Sequence, residues 1–282
     1  MNTDKCLSFY LNNGTLKGHF CRLTHSTTEA LKNHSYPKKI NKLLAEMSAI
    51  SQCFTMDIKS DTQATMQLTG TSPVKLALVN SINCESFRCC ATLDSTSEVG
   101  LDELSVPQLF GHKGMLVFTI DFENQHYQTI IDLSASNLQE CFQHYFIQSQ
   151  QIPTIVMLCS SVEEKNISSA ALILQRIPAT RDTDSAEEND AWLEASCLAS
   201  TVKHNELLNS DLPMEKFINL VFGSLTPIVS RETHLTFKCT CNHEKIVSIV
   251  KNFDSQNPDK EIVVICEYCN KKYAIDKNEI DS

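Results

Sequence analysis

Two close pairs of cysteines near the C-terminal end most constrain how this chain can fold. They read KCTCN at 238–242 and CEYCN at 266–270, with 24 residues between the second thiol and the third. The segment 237–282 that holds them is too short to be stabilised by hydrophobic burial alone, and units of this size often use a metal ion. Four thiolates form the closed tetrahedral shell of a structural zinc site, which leaves no open position for a substrate. We therefore expect one Zn²⁺ ion per chain, bound by four ligands: Cys239, Cys241, Cys266 and Cys269.

Two histidines near the first pair offer alternative ligands. His243 follows that pair in CTCNH and could replace one thiolate, and His234 lies a few residues before it. Imidazole nitrogen is also a common zinc ligand, so such an exchange is chemically reasonable. We expect the four thiolates rather than either histidine.

The other nine of the thirteen cysteines are scattered, mostly within apolar runs. No basic and apolar leader and no run of eighteen apolar residues is visible, so we expect a cytoplasmic protein with no membrane partner. Thiols stay reduced in that compartment, and an odd number of cysteines fits no closed disulfide framework. We expect these nine to be small buried hydrophobic residues. They are Cys6, Cys21, Cys53, Cys84, Cys89, Cys90, Cys141, Cys159 and Cys197.

Cys89 and Cys90 are adjacent in the run SFRCCATLD, which invites a redox interpretation. The run is predicted to be a strand, and adjacent side chains of a strand point to opposite faces of the sheet. We therefore expect the two thiols not to pair with each other.

Charge is unevenly distributed along the chain. The formal net charge is −10; the segment 182–216 contains nine acidic residues and two lysines, whereas 237–282 contains eight acidic residues and seven lysines. A nucleic-acid partner requires a basic surface, so we expect none. The chain has seven glycines and no GxxxxGK[ST] motif, so no phosphate-binding loop for ATP is visible. Since no clustered serine, histidine and aspartate pattern is visible either, we expect a binding protein rather than an enzyme.

Residues 1–181 are predicted to form an α+β domain with mixed sheets. Nine short runs are rich in apolar residues and bounded by turn-forming residues, as is typical of strands. Two longer runs, KKINKLLAEMSAIS and SNLQECFQHYFIQSQQ, carry apolar residues at helical spacing. Strands and helices do not alternate regularly, which favours α+β over a parallel α/β fold. The predicted strands are CLSFYL, HFCRLT, ATMQLTG, VKLALVNS, FRCCATL, GMLVFTIDF, YQTIIDL, TIVMLCS and AALILQRIP.

Residues 182–236 are predicted to form an acidic helical linker. DAWLEASCLASTVKHNELL is a weakly amphipathic helix. The second helix, 211–223, has a capping Asp211, Pro213 in its first turn and Gly223 at its end. Its apolar face is large for a segment with little core of its own, so we expect it to dock on the neighbouring domain. That face comprises Met214, Phe217, Ile218, Val221 and Phe222.

Three functions are compatible with the thiol pairs at this point. The centre could be a structural zinc ribbon in an adaptor that binds a folded partner or nucleic acid. It could instead be a redox switch, because the members of each pair are close enough in sequence to be joined by a disulfide after oxidation. Disulfide formation would release the metal, and with it a binding free energy on the order of 10 kcal/mol. A thiol oxidoreductase that uses CEYC is less favoured, since no βαβ pattern surrounds that motif.

The order of several motifs resembles one known family. CTC, followed after a loop by CEYCNKKYAID, is similar to the redox switch of the bacterial redox-regulated heat-shock chaperones, the 33 kDa heat-shock proteins or chaperonins. Five further stretches match signatures of that family in the family's order: HSYP, MQLTGTSPVKLALVN, LFGHKGMLVFTID, YQTIIDL and YFIQSQQIPT. The chain departs from the family pattern at Ser72, Cys89, Thr129 and Gln150.

The resemblance implies a zinc-dependent holdase. In such a protein the reduced, zinc-bound form is inactive and monomeric. Oxidants acting with unfolding stress join neighbouring thiols, zinc is released, and the zinc domain and the linker lose structure. The protein then dimerises and holds unfolding client proteins without ATP, using a surface that the linker helix covers in the reduced form. The disulfides that the resemblance implies are Cys239–Cys241 and Cys266–Cys269.

Overall fold

The computed structural model describes residues 4–58, 62–94, 100–111, 113–122, 125–164, 166–177, 186–253, 261–276 and 279. Within these ranges the strands are β1 Lys5–Leu11, β2 Leu16–Leu23, β3 Gln63–Thr69, β4 Val74–Ile82, β5 Ser86–Leu93, β6 Met115–Phe122, β7 Gln125–Asp132, β8 Thr154–Glu163, β9 Asn166–Arg176, β10 Ile228–His234, β11 Thr236–Phe237, β12 Glu261–Ile265 and β13 Lys272–Asp276. The α-helices are α1 His25–Leu31, α2 Lys38–Thr55, α3 Val106–Phe110, α4 Leu138–Gln148, α5 Ala186–Thr201, α6 His204–Leu207, α7 Met214–Phe222 and α8 His243–Phe253.

The strands form two large sheets and one small hairpin. The first sheet has the order β10-β1-β2-β9-β8, and the second has the order β11-β5-β4-β3-β6-β7. The pairings are antiparallel, except that β11 runs parallel to β5. β12 and β13 pair with each other in the C-terminal part of the chain. The fold is therefore α+β, as predicted, and each of the nine predicted strands is present.

Helix α2 lies between the two large sheets. It contacts β2, β8 and β9 of the first sheet and β3, β4 and β5 of the second. The predicted apolar stripe is buried, but so are polar residues on other sides of the helix, including Ser51 and Gln52. Both side chains hydrogen-bond to the Ser81 hydroxyl of β4, at 2.9 and 2.8 Å, so their burial is partly compensated. The helix is thus covered on two faces, and the main hydrophobic core surrounds it.

The outer face of the first sheet is covered by α5 and α7. Two aromatic contacts join α7 to the sheet: the ring of Phe217 lies 5.1 Å from that of Phe20, and the ring of Phe222 lies 6.3 Å from that of Phe9. Helix α5 places small side chains against the same cluster, which lets its backbone approach closely. These are Ala191, Ala195 and Ala199.

The linker helices depart from the predicted bounds at two places. The run DAWLEASCLASTVKHNELL forms two helices, α5 and α6, because Lys203 adopts an extended backbone between them. Helix α7 begins at Met214 with Pro213 in the capping position, so the predicted cap at Asp211 is wrong. The buried Arg22 of β2 accounts for the irregular path before α7, since it donates hydrogen bonds of 2.7 Å to the carbonyl oxygens of Leu207 and Leu212. Helix α7 ends at Phe222, directly before Gly223, as predicted.

The division into 1–181, 182–236 and 237–282 stays a prediction. Its first boundary falls on residues outside the described ranges. Strand β10, which lies in the predicted linker, pairs with β1 at the edge of the first sheet, and β11 pairs with the edge of the second. The segment that precedes the first cysteine pair is therefore attached to both sheets.

The C-terminal part of the chain contains α8 and the β12–β13 hairpin around a small core. The buried residues of that core are Ile246, Val250, Cys266, Tyr273 and Ile275. Among the described helices of the whole protein, none is both long enough and apolar enough to cross a membrane.

Candidate metal centre

The first cysteine pair is positioned by a strand on one side and a helix on the other. Strand β11 lies along the edge of β5, and the next backbone N–H, that of Lys238, donates to the carbonyl oxygen of Phe87 at 3.0 Å. Helix α8 begins just after the pair, and Asn242 accepts a hydrogen bond from the backbone N–H of Lys245 at 2.8 Å. This side-chain cap ends the loop that carries the thiols and fixes the start of α8.

The second cysteine pair occupies the turn between β12 and β13. The backbone N–H of Cys266 donates to the carbonyl oxygen of Lys271 at 2.9 Å, and that of Asn270 donates back to Cys266 at 2.8 Å. Asn270 has a φ of 58°, a left-handed conformation that asparagine adopts more readily than most residues. The turn is tightly closed as a result, and it presents Cys266 and Cys269 to the first pair.

The four thiols meet in one cluster, as predicted, with all Sγ atoms within 4.8 Å of one another. The Sγ of Cys239 lies 3.3 Å from that of Cys241 and 3.7 Å from that of Cys266. The Sγ of Cys241 lies 3.5 Å from that of Cys269. Zinc–thiolate bonds of about 2.3 Å in a tetrahedron place sulfur atoms roughly 3.8 Å apart. The spacing and the all-sulfur donor set therefore fit a zinc ion.

Tyr273 is a partner of this centre that sequence reasoning missed. Its hydroxyl donates a hydrogen bond of 3.1 Å to the Sγ of Cys241. Burial alone would raise the pKa of Cys241, but hydrogen bonds from Tyr273 and from the neighbouring thiols lower it to about 7. Burial raises the pKa of Cys239. The period-two pattern of KYAID places Tyr273 and Ile275 on one face of β13, and this pattern could have identified the tyrosine.

The two candidate histidines are engaged outside the thiol cluster. The Nε2 of His243 lies 2.5 Å from a carboxylate oxygen of Glu279, and the Nε2 of His234 lies 3.3 Å from one of Glu232. Neither histidine belongs to the group of ligand atoms that the structure brings together in the described residues.

The other cysteines agree with the predicted burial with one exception. Eight of the nine are buried, whereas Cys197 on α5 is exposed. Cys89 belongs to the main core, and Cys90 lies on the opposite face of β5, so the two thiols do not face each other. Burial raises the pKa of each of these two thiols to about 12.

The predicted apolar face of α7 is placed against the first sheet. Four of its five members are buried: Met214, Phe217, Ile218 and Phe222. Val221 is partly buried at the edge of the same cluster, and Leu220 on the opposite side of the helix is 67% exposed. The helix therefore docks by the side that the sequence pattern identified.

The chain is similar over nearly its whole length to proteins of one family. Residues 4–276 match the family described as Hsp33 protein. The 33 kDa chaperonin of Shewanella frigidimarina is 30% identical over 287 residues, which cover 99% of this chain and 95% of that protein. That of Shewanella loihica is 28% identical over 288 residues, which cover 100% and 96%.

The fold has a counterpart among solved structures. The crystal structure of the 33 kDa chaperonin (heat shock protein 33 homolog) of Thermotoga maritima superposes with a TM-score of 0.79 at 16% identity, covering 99% of this chain and 96% of that one. At this identity the likeness concerns the fold alone. The family match, in contrast, spans nearly the whole sequence and includes both cysteine pairs. The chain therefore belongs to the Hsp33 family of chaperones.

Proposed function

We propose that the protein is a redox-regulated, ATP-independent holdase in which the four-cysteine centre controls a client-binding surface. The observation that supports this most is the spacing of the first thiol pair. The Sγ atoms of Cys239 and Cys241 lie 3.3 Å apart, close enough to share one zinc ion and close enough to bond to each other after a small movement. An adaptor whose zinc ion stays bound would not need a thiol pair that can both bind zinc and form a disulfide.

In the reduced state the four thiolates would hold one Zn²⁺ per chain, which would supply the bonds that stabilise the C-terminal unit. The described core of that unit has only five buried residues, so its stability would depend on ligation. Tyr273 would stabilise negative charge on Cys241 through its hydroxyl. In this state the protein would be an inactive monomer.

Oxidation by a peroxide would remove the ligands. A thiolate attacks the O–O bond and becomes a sulfenic acid, and the peroxide leaves one oxygen as water after protonation. The neighbouring thiol then attacks the sulfenic sulfur, a disulfide forms, and a second water leaves. Each pair loses two electrons and each peroxide is reduced to two waters. The proposed disulfides are Cys239–Cys241 and Cys266–Cys269.

Unfolding of the C-terminal unit would affect the linker helices through the short segment that connects them. Strands β10 and β11 lie between α7 and the first cysteine pair. The Nζ of Lys5 in β1 lies 2.5 Å from Glu215 of α7 and 3.3 Å from Glu232 of β10, so these elements share one cation. We infer that unfolding of the C-terminal unit frees β11, loosens β10 and weakens the docking of α7.

Release of α7 would expose a large apolar surface for clients. The face of the first sheet beneath it carries Leu7, Phe9, Leu11, Leu16 and Phe20, all buried in the described state. The cover itself carries Met214, Phe217, Ile218, Val221 and Phe222. Contiguous apolar patches of this kind bind other apolar surfaces, including those of unfolding proteins. The same surface would support the oxidised homodimer, and neither nucleic acid nor a membrane is a proposed partner. The setting would be the cytoplasm under oxidative stress.

The test measures zinc release and client protection in the same sample. We expect reduced protein to contain one zinc ion and to leave a thermally unfolding client unprotected, as judged by light scattering. Peroxide at elevated temperature should release that zinc and suppress the scattering. Cys197→Ser, which removes the exposed thiol outside the cluster, is the matched control and should behave as wild type. Oxidised, zinc-free protein that gives no protection at any ratio would contradict the proposal, and retention of zinc under peroxide would favour the adaptor.

A further inference from the structure

One face of β5 is turned toward the C-terminal unit. Side chains alternate along a strand, and Phe87 and Cys89 point into the main core. The alternate positions point the other way: Arg88 contacts Thr240, and Thr92 hydrogen-bonds Glu267 at 3.4 Å. The second sheet therefore offers a surface on which the thiol centre lies.

Arg88 contacts both cysteine-bearing loops at once. Its Nη1 donates a hydrogen bond of 2.7 Å to the hydroxyl of Thr240, the residue between Cys239 and Cys241. Its Cζ lies 4.1 Å from the ring centroid of Tyr268, the aromatic residue between Cys266 and Cys269, which is a short cation–π distance. One side chain thus spans two loops that are distant in sequence.

Arg88 is also held by a residue of the neighbouring strand. Its Nε donates to the amide oxygen of Asn80 on β4 at 3.3 Å, so the guanidinium uses separate edges and its face for three partners. Arginine can do this because its planar group carries several donors in fixed directions, whereas lysine carries a single point charge.

The loop between α1 and α2 supplies a second group of contacts with the same turn. Asn33 donates from Nδ2 to the carbonyl oxygen of Cys269 at 3.2 Å, and Asn270 donates to the carbonyl oxygen of Asn33 at 2.6 Å. The Nε2 of His34 lies 3.3 Å from the carbonyl oxygen of Tyr268, to which it can only donate. The His34 ring stacks on Tyr36, with centroids 4.7 Å apart, so the loop presents these groups in a fixed arrangement.

We propose that Arg88, together with Asn33 and His34, forms a docking site that recognises the metal-loaded centre and raises its affinity for zinc. The inference rests on the proposed function, because it assumes that the thiols bind zinc. Arg88 can contact Thr240 and Tyr268 together only while the two loops are held side by side. A zinc ion with four thiolates carries a net charge of two negative units, which a neighbouring guanidinium stabilises.

Docking and metal binding are therefore linked. Any contact that favours the loaded form over the empty form raises the metal affinity by the same factor. The two-sheet part of the chain would then influence the metal centre in one direction and be influenced by it in the other. Docking slows the loss of zinc. Oxidation of the cysteine thiolates disrupts the arrangement of the two loops that the docking site recognises.

The test is zinc affinity of the full-length reduced protein, measured by competition with a chromogenic chelator. Arg88→Gln should weaken zinc binding roughly tenfold, the low end for outer-shell partners of a metal site, and should speed zinc release by peroxide. Lys75→Gln removes the same charge from an exposed position on neighbouring β4 and should change neither quantity. Equal zinc affinity in Arg88→Gln and wild type, with native sheet content by circular dichroism, would overturn the inference.

Three further variants separate specific docking from general destabilisation. Arg88→Lys keeps the charge and should restore only part of the affinity. Tyr268→Leu removes the ring on which the guanidinium lies and should lose affinity, whereas Tyr268→Phe keeps that ring and should lose less. In the Arg88→Gln/Tyr268→Leu double variant the losses should not add, and full additivity would count against a shared contact. If wild type binds no zinc, the proposed function fails; if wild type binds and releases zinc while Arg88→Gln is unaffected, only this inference fails.

Discussion

The two-sheet part of the chain, which the sequence predicts as the first domain, and the C-terminal unit each hold a cluster of cysteines, in opposite environments. In the first domain, Cys6 and Cys21 are cross-strand partners on β1 and β2, and Cys53 of α2 packs against them. All three are essentially inaccessible, and burial raises the pKa of each thiol. In the C-terminal unit, hydrogen bonds lower the pKa of Cys241 to about 7. The same side chain is therefore a neutral core residue in one region and a candidate ligand and nucleophile in the other.

Proximity of thiols does not by itself make them reactive. Reactivity requires the thiolate and access to an oxidant, and the core cluster offers neither. In the C-terminal cluster Cys241 offers both, because hydrogen bonds lower the pKa of its thiol and the side chain is only partly buried. The core cluster is shielded from an oxidant, whereas the exposed Cys197 and the partly buried Cys239, Cys241 and Cys269 are not.

The largest expected effect comes from removing one ligand. Cys266→Ser should abolish stable zinc binding and unfold the C-terminal unit, since the metal-dependent folding energy is on the order of 10 kcal/mol. The measurements are zinc content and hydrogen exchange of α8, β12 and β13. Cys53→Ala, the matched change in the core cluster, should keep its zinc and cost about 1 kcal/mol of global stability. Full zinc content in Cys266→Ser would show that the cluster is not the metal site.

Alkylation of protein whose zinc has been removed by a chelator, while the two large sheets stay folded, compares the reactivity of the two clusters. Cys241 should react with iodoacetamide, with a rate that falls as the pH drops, because its thiolate is then protonated. Cys6 and Cys21 should react at least about a thousandfold more slowly, since their exposure requires unfolding of the domain. Peptide mass mapping at several pH values measures both rates. Comparable labelling of the two clusters while the sheets stay folded would show that their thiols do not differ in reactivity.

A charged residue in the apolar face of α7 tests whether this helix covers the first sheet. Phe217→Asp should destabilise the docking of α7 by about 3 kcal/mol or more, because a buried aromatic contact with Phe20 is replaced by an unpaired carboxylate. We expect partial client protection before oxidation, measured by light scattering. Leu220→Asp, on the exposed side of the same helix, should change stability by no more than about 0.5 kcal/mol. A folded Phe217→Asp variant as inactive as wild type would argue against a covering role.

The smallest effect is expected at Tyr273. Tyr273→Phe removes the hydroxyl that donates to Cys241, and so the pKa of that thiol in the folded unit should rise from about 7. In zinc-loaded protein the midpoint of acid-induced zinc release should move to higher pH, because the Cys241 thiolate is less stabilised. Tyr127→Phe, at an exposed tyrosine of β7, serves as the control and should leave the midpoint unchanged. An unmoved midpoint in Tyr273→Phe would mean that other groups set this pKa.

Local patterns explain which parts of the fold could be predicted. The strands and the two long helices of the first domain follow from runs whose periodicity is two or about 3.6 residues. The apolar face of α7 was identified for the same reason. The predicted cap at Asp211 is wrong because a residue distant in sequence fixes the backbone there. Arg22 of β2 donates hydrogen bonds to carbonyl oxygens in the segment before α7.

The sequence alone determined that four thiols in two close pairs would converge, because their spacing and the small size of the unit leave few other ways to stabilise it. It also determined which side of α7 is apolar. Three other features depend on tertiary packing: α2 is enclosed by both sheets, Cys6, Cys21 and Cys53 cluster, and Arg88 reaches both cysteine loops. Spacing along a chain constrains residues within a few turns of one another, whereas contacts between distant segments depend on how whole sheets and helices pack.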